Sequence, residues 1–466
     1  MRFSPYKYGK RKVRGRAAII ALAGVAGIIT YSLVSLPTAG TAAGTGSAEI
    51  ASKLGLAPTP DTGASPDATL ATVPNKTVGP SSSSSILRAK QNLTTTSTGS
   101  DYGAKPSTGA SLSDTSSAGS SPVDSSRSPY TWPFSWDSIW NIPIASTATY
   151  APAGITSAGS YEDSSEADYD SVSPASPAVT LGDAQLASGS IAAVSVHGDP
   201  SMTANGTLNG CSAFLGTDNK TVYQGQTIEL TPGGNPTFGG ALDDTWPPVD
   251  IESTGIGGCH GGSGLSGLGG TLTLADLTQA SPITHALKVA LDGYLNYSIA
   301  NGGFRWPAAN ADEGYSSNTS GNYYGGSNPN VQEGSLLALP RSINPSSFSN
   351  PTVAKIARAM QDYGAYIVDT TATGSYDFST LITNYNASSQ LATDLCISAT
   401  PCRYPSSNEE IVSSQLDTLF EDLQVVTNNT ASTPGGGAIG TSRCAPYAPQ
   451  FADGSGMPPT VAVISC

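Results

Sequence analysis

Charge is what this chain has least of. Only 12% of its residues are Asp, Glu, Lys or Arg, about half the share usual in globular domains. Positive charge is the scarcer sign, with 21 basic against 35 acidic residues and a net charge of −14. Seven of the 21 lie in the first 16 residues, so beyond Arg16 the balance is 14 to 35. A body so poor in Lys and Arg cannot neutralise phosphates, which excludes nucleic acid as a partner. Histidine occurs three times. No CxxC pair exists, so a thiolate zinc site has no ligands at the usual spacing. GxSxG, HExxH and the EF-hand loop are also missing, which removes serine hydrolases of the elbow type and zinc proteases. No metal and no cofactor is expected.

What the chain does have is Ser, Thr, Ala, 52 Gly and 33 Pro. The basic N-terminus runs into residues 17–36, AAIIALAGVAGIITYSLVSL, twenty residues without charge. Two readings compete. A cleaved signal peptide has a basic start, an apolar core and small residues at the cut, which TAGTAAG after Pro37 supplies. An uncleaved segment of this length is a membrane anchor. The basic flank holds the N-terminus in the cytoplasm either way. Residues 1–43 are therefore a signal peptide or anchor. The remainder is extracellular, secreted or tethered to the outer face of the cytoplasmic membrane. Residues 44–128 are rich in Ser, Thr, Gly and Pro, with no sustained apolar period. Such a stretch buries too little surface to offset its ordering entropy, so a disordered stalk is expected.

The folded body starts near residue 129. All five tryptophans lie between Trp132 and Trp306, and all six cysteines lie beyond residue 210. An even cysteine count in an exported chain reads as disulfides. Spacing suggests Cys211–Cys259, Cys396–Cys402 and Cys444–Cys466, among fifteen possible pairings. Short runs with alternating or β-branched residues between Gly, Pro and Asn turns read as strands. They include residues 190–197, 221–230 (with a hairpin at Gln224 and Gly225), 284–291 and 334–339. Helices are few. Residues 351–363 have Asn350 to cap them, Pro351 at the first turn and Gly364 at the end. Residues 407–425 open on the capping-box pair Ser407 and Glu410 and carry a stripe of Ile411, Val412, Leu416, Leu419, Phe420 and Leu423. The expected fold class is mainly β, a β-sandwich or jelly roll with two or three peripheral helices. The sandwich domain is placed at 129–370, with a disulfide-containing extension at 371–466 packed on it.

Chemistry has few candidate carriers. His260 sits in a segment, 257–270, with eight glycines in fourteen residues. It is either a hydrogen-bonded residue of a tight Gly-rich turn or a site histidine on a shaped loop. His285 alternates with Ile283 and Leu287, as a core histidine or as one facing a substrate groove. Arg305, Trp306, Asp312 and Glu313 fall within nine residues, and Tyr324 follows in a polar loop. Aromatic faces stack on sugar rings, and Arg and carboxylates bind hydroxyl or uronate groups. Trp246 adds a second aromatic among acids. Paired carboxylates suit glycoside hydrolysis. His, Tyr and Arg suit elimination next to a uronate. The plainer alternative is a structural Trp and a salt-bridged Arg305. Asp362 and Asp369 read as acids that end elements, or as cleft acids.

Several motifs recur in order: HGGS at 260–263, LGGT at 268–271, HALK at 285–288, RWPA at 305–308 with AD at 311–312, GSLLALP at 334–340, and QDYGAY at 361–366 with VD at 368–369. As a set they resemble a group of exported bacterial β-sandwich proteins without an assigned activity. The resemblance covers about residues 255–370. It implies a fold class and export and supplies no mechanism. The expected function is a carbohydrate-active protein, a hydrolase or lyase acting on a cell-wall or environmental polysaccharide. Its catalytic residues would be His260, His285, Arg305 and Asp312, with Trp306, Glu313, Tyr324 and Trp246 on the substrate. The alternative is a non-catalytic surface module for adhesion or glycan binding. The partner is a polysaccharide or cell-wall glycan, and the membrane only if the N-terminal segment stays uncleaved.

Overall fold

A computed structural model describes residues 126–466, apart from 158–159, 163–167, 199–210, 232–233, 239–243, 372–374, 379–380, 383–386, 397–408 and 465. The signal or anchor segment and the expected stalk lie outside these residues. Among the described residues no helix is long and apolar enough to cross a membrane.

The body is sheet-rich. A seven-stranded sheet runs β1 (Tyr150–Pro152), β16 (Gln424–Val426), β12 (Leu336–Ala338), β13 (Ala365–Thr370), β11 (Leu287–Leu291), β14 (Ser375–Phe378), β2 (Ser160–Glu162). A five-stranded sheet runs β10 (Asp244–Asp250), β7 (Thr221–Gln226), β6 (Ser212–Leu215), β3 (Asp168–Ser171), β15 (Leu381–Ile382). A four-stranded sheet runs β5 (Ile191–His197), β4 (Ala178–Gln185), β9 (Pro236–Phe238), β8 (Ile228–Leu230). All three are mixed. At the centre of the largest, β11 and β13 are parallel while β12 and β13 are antiparallel.

Period-two alternation sends the central strands' side chains to two different layers. Val289, Leu337, Ala365, Ile367 and Val425 share one apolar cluster with Val353, Ile356, Met360, Leu416 and Phe420 of the helices. Leu336, Ala338, Tyr366 and Val368 share another with Ala213, Leu215 and Val222 of the five-stranded sheet. Side chains of the largest sheet thus enter two apolar clusters, one shared with the helices and one shared with strands of the five-stranded sheet. That explains why its strands read as continuous apolar runs. Leu181, Val196, Phe214 and Phe238 form a smaller cluster where the four-stranded sheet meets β6.

The helices are α1 (Leu274–Thr278), α2 (Gly293–Asn296), α3 (Pro351–Asp362), α4 (Ala387–Leu395) and α5 (Glu409–Glu421). The start of α3 is fixed as its sequence predicts. Asn350 Oδ1 accepts from the N–H groups of Thr352 and Val353 at 2.9 and 3.1 Å. Gly364, at φ +83°, turns the chain from α3 into β13. The second predicted helix stops short. α5 ends at Glu421, and residues 424–426 form β16 between β1 and β12. Val425 and Val426 favour the pleated surface they occupy. Ile411 of the expected stripe is 42% exposed, while Val412, Leu416, Leu419 and Phe420 are buried. Ser407 lies outside the described residues.

Two further details depart from the sequence reading. No hairpin turns at Gln224 and Gly225. β7 continues through them, pairing Gly225 with Ser212 on one side and Thr245 on the other. A Cβ at Gly225 would stand 2.6 Å from the Phe238 ring, so this glycine admits a ring and makes no turn. β11 begins at Leu287, leaving His285 ahead of the strand. The expected Cys211–Cys259 and Cys444–Cys466 disulfides are both present. Cys396 is not free, and Cys402, its expected partner, lies outside the described residues.

Candidate functional site: a buried carboxylate cluster

The segments carrying the sequence motifs meet around three acids. Asp369 is the fifth residue of β13, in a strand otherwise Ala, Tyr, Ile, Val and Thr. A register shift between Val289 and Ala290 of the parallel neighbour β11 sets Asp369 opposite Ala290. Glu333 lies just before β12. It is held there because its carbonyl accepts from Arg305 N at 2.9 Å and its N–H donates to Gly303 O at 3.2 Å. Asp312 follows on the loop beyond Pro307. One carboxylate oxygen from each acid lies within 4.8 Å of the other two. Glu333 is 0% exposed and Asp369 2%, while Asp312 is half-buried.

Glycines make this approach possible. A Cβ at Gly261 would stand 2.8 Å from Asp369 Oδ2, and one at Gly262 would stand 3.0 Å from the Asp312 carboxyl. Gly261 N donates to Asp369 Oδ2 at 3.0 Å, and Thr370 N to Oδ1 at 2.8 Å. Two glycines of the HGGS motif therefore cradle two of the acids. Gly334, at φ +79°, has the backbone of Arg305 where a Cβ would lie, so no other residue fits behind Glu333 without displacing that chain.

Tyr324 ties the cluster together. Its hydroxyl lies 2.7 Å from Asp312 Oδ2 and 3.1 Å from Glu333 Oε1, and accepts from Asp312 N at 3.2 Å. A phenol has one proton to donate, so it satisfies one of the two carboxylate oxygens at a time. Glu333 Oε2, fully buried, has no hydrogen-bond partner among the described residues. Burial and then the charges of Asp312 and Asp369 push Glu333 well above the usual carboxylate range. Asp369 is raised in the same way, by burial and then by Asp312. Burial raises Asp312 as well, against the hydrogen bonds from Tyr324 and Thr370. Burial, Glu333 and Asp312 keep the proton on Tyr324. Three carboxylates this close in a dry setting relieve their repulsion by taking up protons or a cation.

The sequence-predicted residues divide clearly. Asp312 and Tyr324 belong to the cluster. His260 is fully buried beside it, with Nε2 at 2.9 Å from Lys288 Nζ. Lys288 also donates to the carbonyls of Ser266 and Gly267, so this pair pins the Gly-rich loop to β11. His285 pairs elsewhere: Nε2 lies 3.3 Å from Asp276 Oδ2 and Nδ1 2.9 Å from Ala286 O. Asp276 is also the capping-box acid of α1. Arg305 donates to Thr427 O at 3.0 Å and Asn330 O at 3.5 Å, tying its loop to the end of β16. Trp306 packs half-buried against the inter-sheet cluster, Glu313 is exposed, and Trp246 lies half-buried on β10 opposite Gln224.

Glu333 stands out in no local motif of the sequence, and Asp369 reads there only as an acid that ends an element or lines a cleft. The available signal was an acid at the head of, or inside, an otherwise apolar run, since unpaired acids are rarely buried there. No protein-family model matches this chain, no curated protein does, and no solved structure does.

Proposed function

We propose that the protein is an extracellular carbohydrate-active protein, a hydrolase or lyase, with the Asp312–Glu333–Asp369 cluster as its working centre. One observation carries the reading: three acids from distant segments converge, and Asp312 is the least buried of them. Cleavage of a glycosidic bond and proton abstraction beside a uronate both need a carboxylate held in place near the reacting bond. Asp312 is the group that meets the glycan, oriented by Tyr324. Surface aromatics support a sugar ligand. Tyr294, 58% exposed, lies 6.2 Å from the ring of Tyr323, next in sequence to Tyr324. Tyr315 lies half-buried 5.7 Å from Tyr324 itself. Disulfides support an oxidising, extracellular compartment. A face-to-face sandwich belongs to the same proposal, because the seven- and five-stranded sheets share one apolar cluster.

A second reading, a glycan-binding surface module without catalysis, is favoured by His260, His285 and Arg305, each engaged with an internal partner. Incubating the full chain with a panel of polysaccharides separates the readings. New reducing ends mark hydrolysis, and ultraviolet absorbance from unsaturated uronates marks elimination. Retention on a glycan with neither product supports the module, and no effect on any glycan removes both.

A further inference from the structure

We infer that Asp312, Glu333 and Asp369 bind a hard divalent cation of the calcium class. Two observations carry this beyond a mere group of acids. One oxygen of each side chain lies within 4.8 Å of the others. Ca²⁺ holds oxygens at about 2.3–2.6 Å, so ligands on opposite sides of it stand about 5 Å apart. Separately, Glu333 Oε2 is sealed from solvent and has no donor among the described residues. An orphaned carboxylate oxygen costs free energy unless something positive reaches it. The charged side chains gathered closest to Glu333 are the acids Asp312 and Asp369, so a cation is the partner its position calls for.

The donor set narrows the ion. All three ligands are carboxylates, which suit Ca²⁺, Mg²⁺ or Mn²⁺ and disfavour Zn²⁺ or Cu⁺, which seek nitrogen or sulfur. Mg²⁺ sheds water reluctantly, and two of the three ligands here are buried, so Ca²⁺ is the better fit. Tyr324, bonded to Asp312 and facing Glu333, orients both acids. The expectation of no metal rested on missing cysteine pairs and EF-hand spacing. Here the ligands stand 21 and 36 residues apart, a spacing set by the sheet and invisible to a local motif.

This inference deepens the proposed function and rests on the same centre, yet its test uses no glycan. The chelator-treated full chain is titrated with CaCl₂ by calorimetry at neutral pH, and its melting is followed with and without CaCl₂. One ion per chain and a rise in melting temperature are expected, with MgCl₂ binding more weakly. Glu333→Gln, checked for folding by circular dichroism, should weaken binding at least tenfold. If that variant does not fold, Asp312→Asn is read instead, with the same expectation. Absence of heat and of a melting shift at millimolar CaCl₂ overturns the inference, as does a folded variant binding like the wild type. If Ca²⁺ fails to bind while glycan is still cleaved, only the cation reading falls. If Ca²⁺ binds and no glycan is cleaved or retained, only the glycan reading falls.

Discussion

At the scale of single residues, the glycines of the HGGS segment and the acids they face form one device. Gly261→Ala would set a methyl 2.8 Å from Asp369 Oδ2. That carboxylate would lose its N–H donor or shift. We expect a melting decrease and the loss of any site-dependent activity, both readable in one preparation by calorimetry and assay. His285 and Asp276 give a pH test. Asp276 is held below its ordinary 3.8, by His285 and by hydrogen bonds from His285 and Thr273 that outweigh its burial. His285 is held above its ordinary 6.5, because its charge and hydrogen-bond interactions with Asp276 outweigh burial. The Asp276 contribution is lost as pH falls through its lowered value, and the His285 contribution is lost as pH rises through its raised one. The pair therefore stabilises fully from about pH 4 to 6.5. The melting difference between wild type and His285→Asn should be largest in that window and shrink above it. A difference that grows with rising pH would contradict the pairing. Asp312 and Tyr324 were legible in the sequence because they sit among other polar and aromatic residues. Asp369 was legible only as one of two readings and Glu333 not at all, because a buried acid beside an apolar run looks like the end of an element until its neighbours in space are known.

At the scale of elements, caps and turns were the most legible features. Asn350, Pro351 and Gly364 bracket α3 as their chemistry requires. Asn350 also donates from Nδ2 to Asp394 O at 2.7 Å, joining α3 to α4. Asn350→Ala should cost roughly 1–2 kcal/mol from the lost cap, measured by urea unfolding. A change near zero would mean water replaces the cap. Strands were legible where β-branched residues alternate, as in β5. They were less so where a strand is shared between layers. Residues 424 and 425 read as a helix end because Leu423 continues the helical stripe of α5. Pairing with β1 and β12 on both sides overrides that local preference.

At the scale of the whole molecule, the chain after residue 371 is woven into the main sheet. It supplies β14 and β16, while α4 and α5 add Leu391, Val412, Leu416 and Phe420 to the larger apolar cluster. The Cys211–Cys259 bridge closes a separation of 48 residues between β6 and the Gly-rich loop. Chain entropy alone makes such a closure worth up to roughly 4 kcal/mol. It sits against Gly267, where a Cβ would lie 2.4 Å from Cys211 Sγ. Replacing both cysteines with Ser should lower unfolding stability by about 2–4 kcal/mol and loosen the loop that carries Gly261 and Gly262. The mainly β class was visible in the spacing of turns and short strands. The convergence of residues 261–262, 312, 333 and 369 was not, because it depends on parallel and antiparallel pairings joining segments far apart in sequence.

The central claim is that the three-carboxylate cluster, and not the scattered histidines, is the working centre. The most direct measurement compares Asp312→Asn with His285→Asn on a glycan that the wild type cleaves, recording rate and melting temperature for each. Asp312→Asn should lose about 100-fold or more in rate, with little change in the melting of the chelator-treated chain. His285→Asn should lower melting and keep the rate. The reverse pattern, with Asp312→Asn as active as the wild type, would contradict this claim.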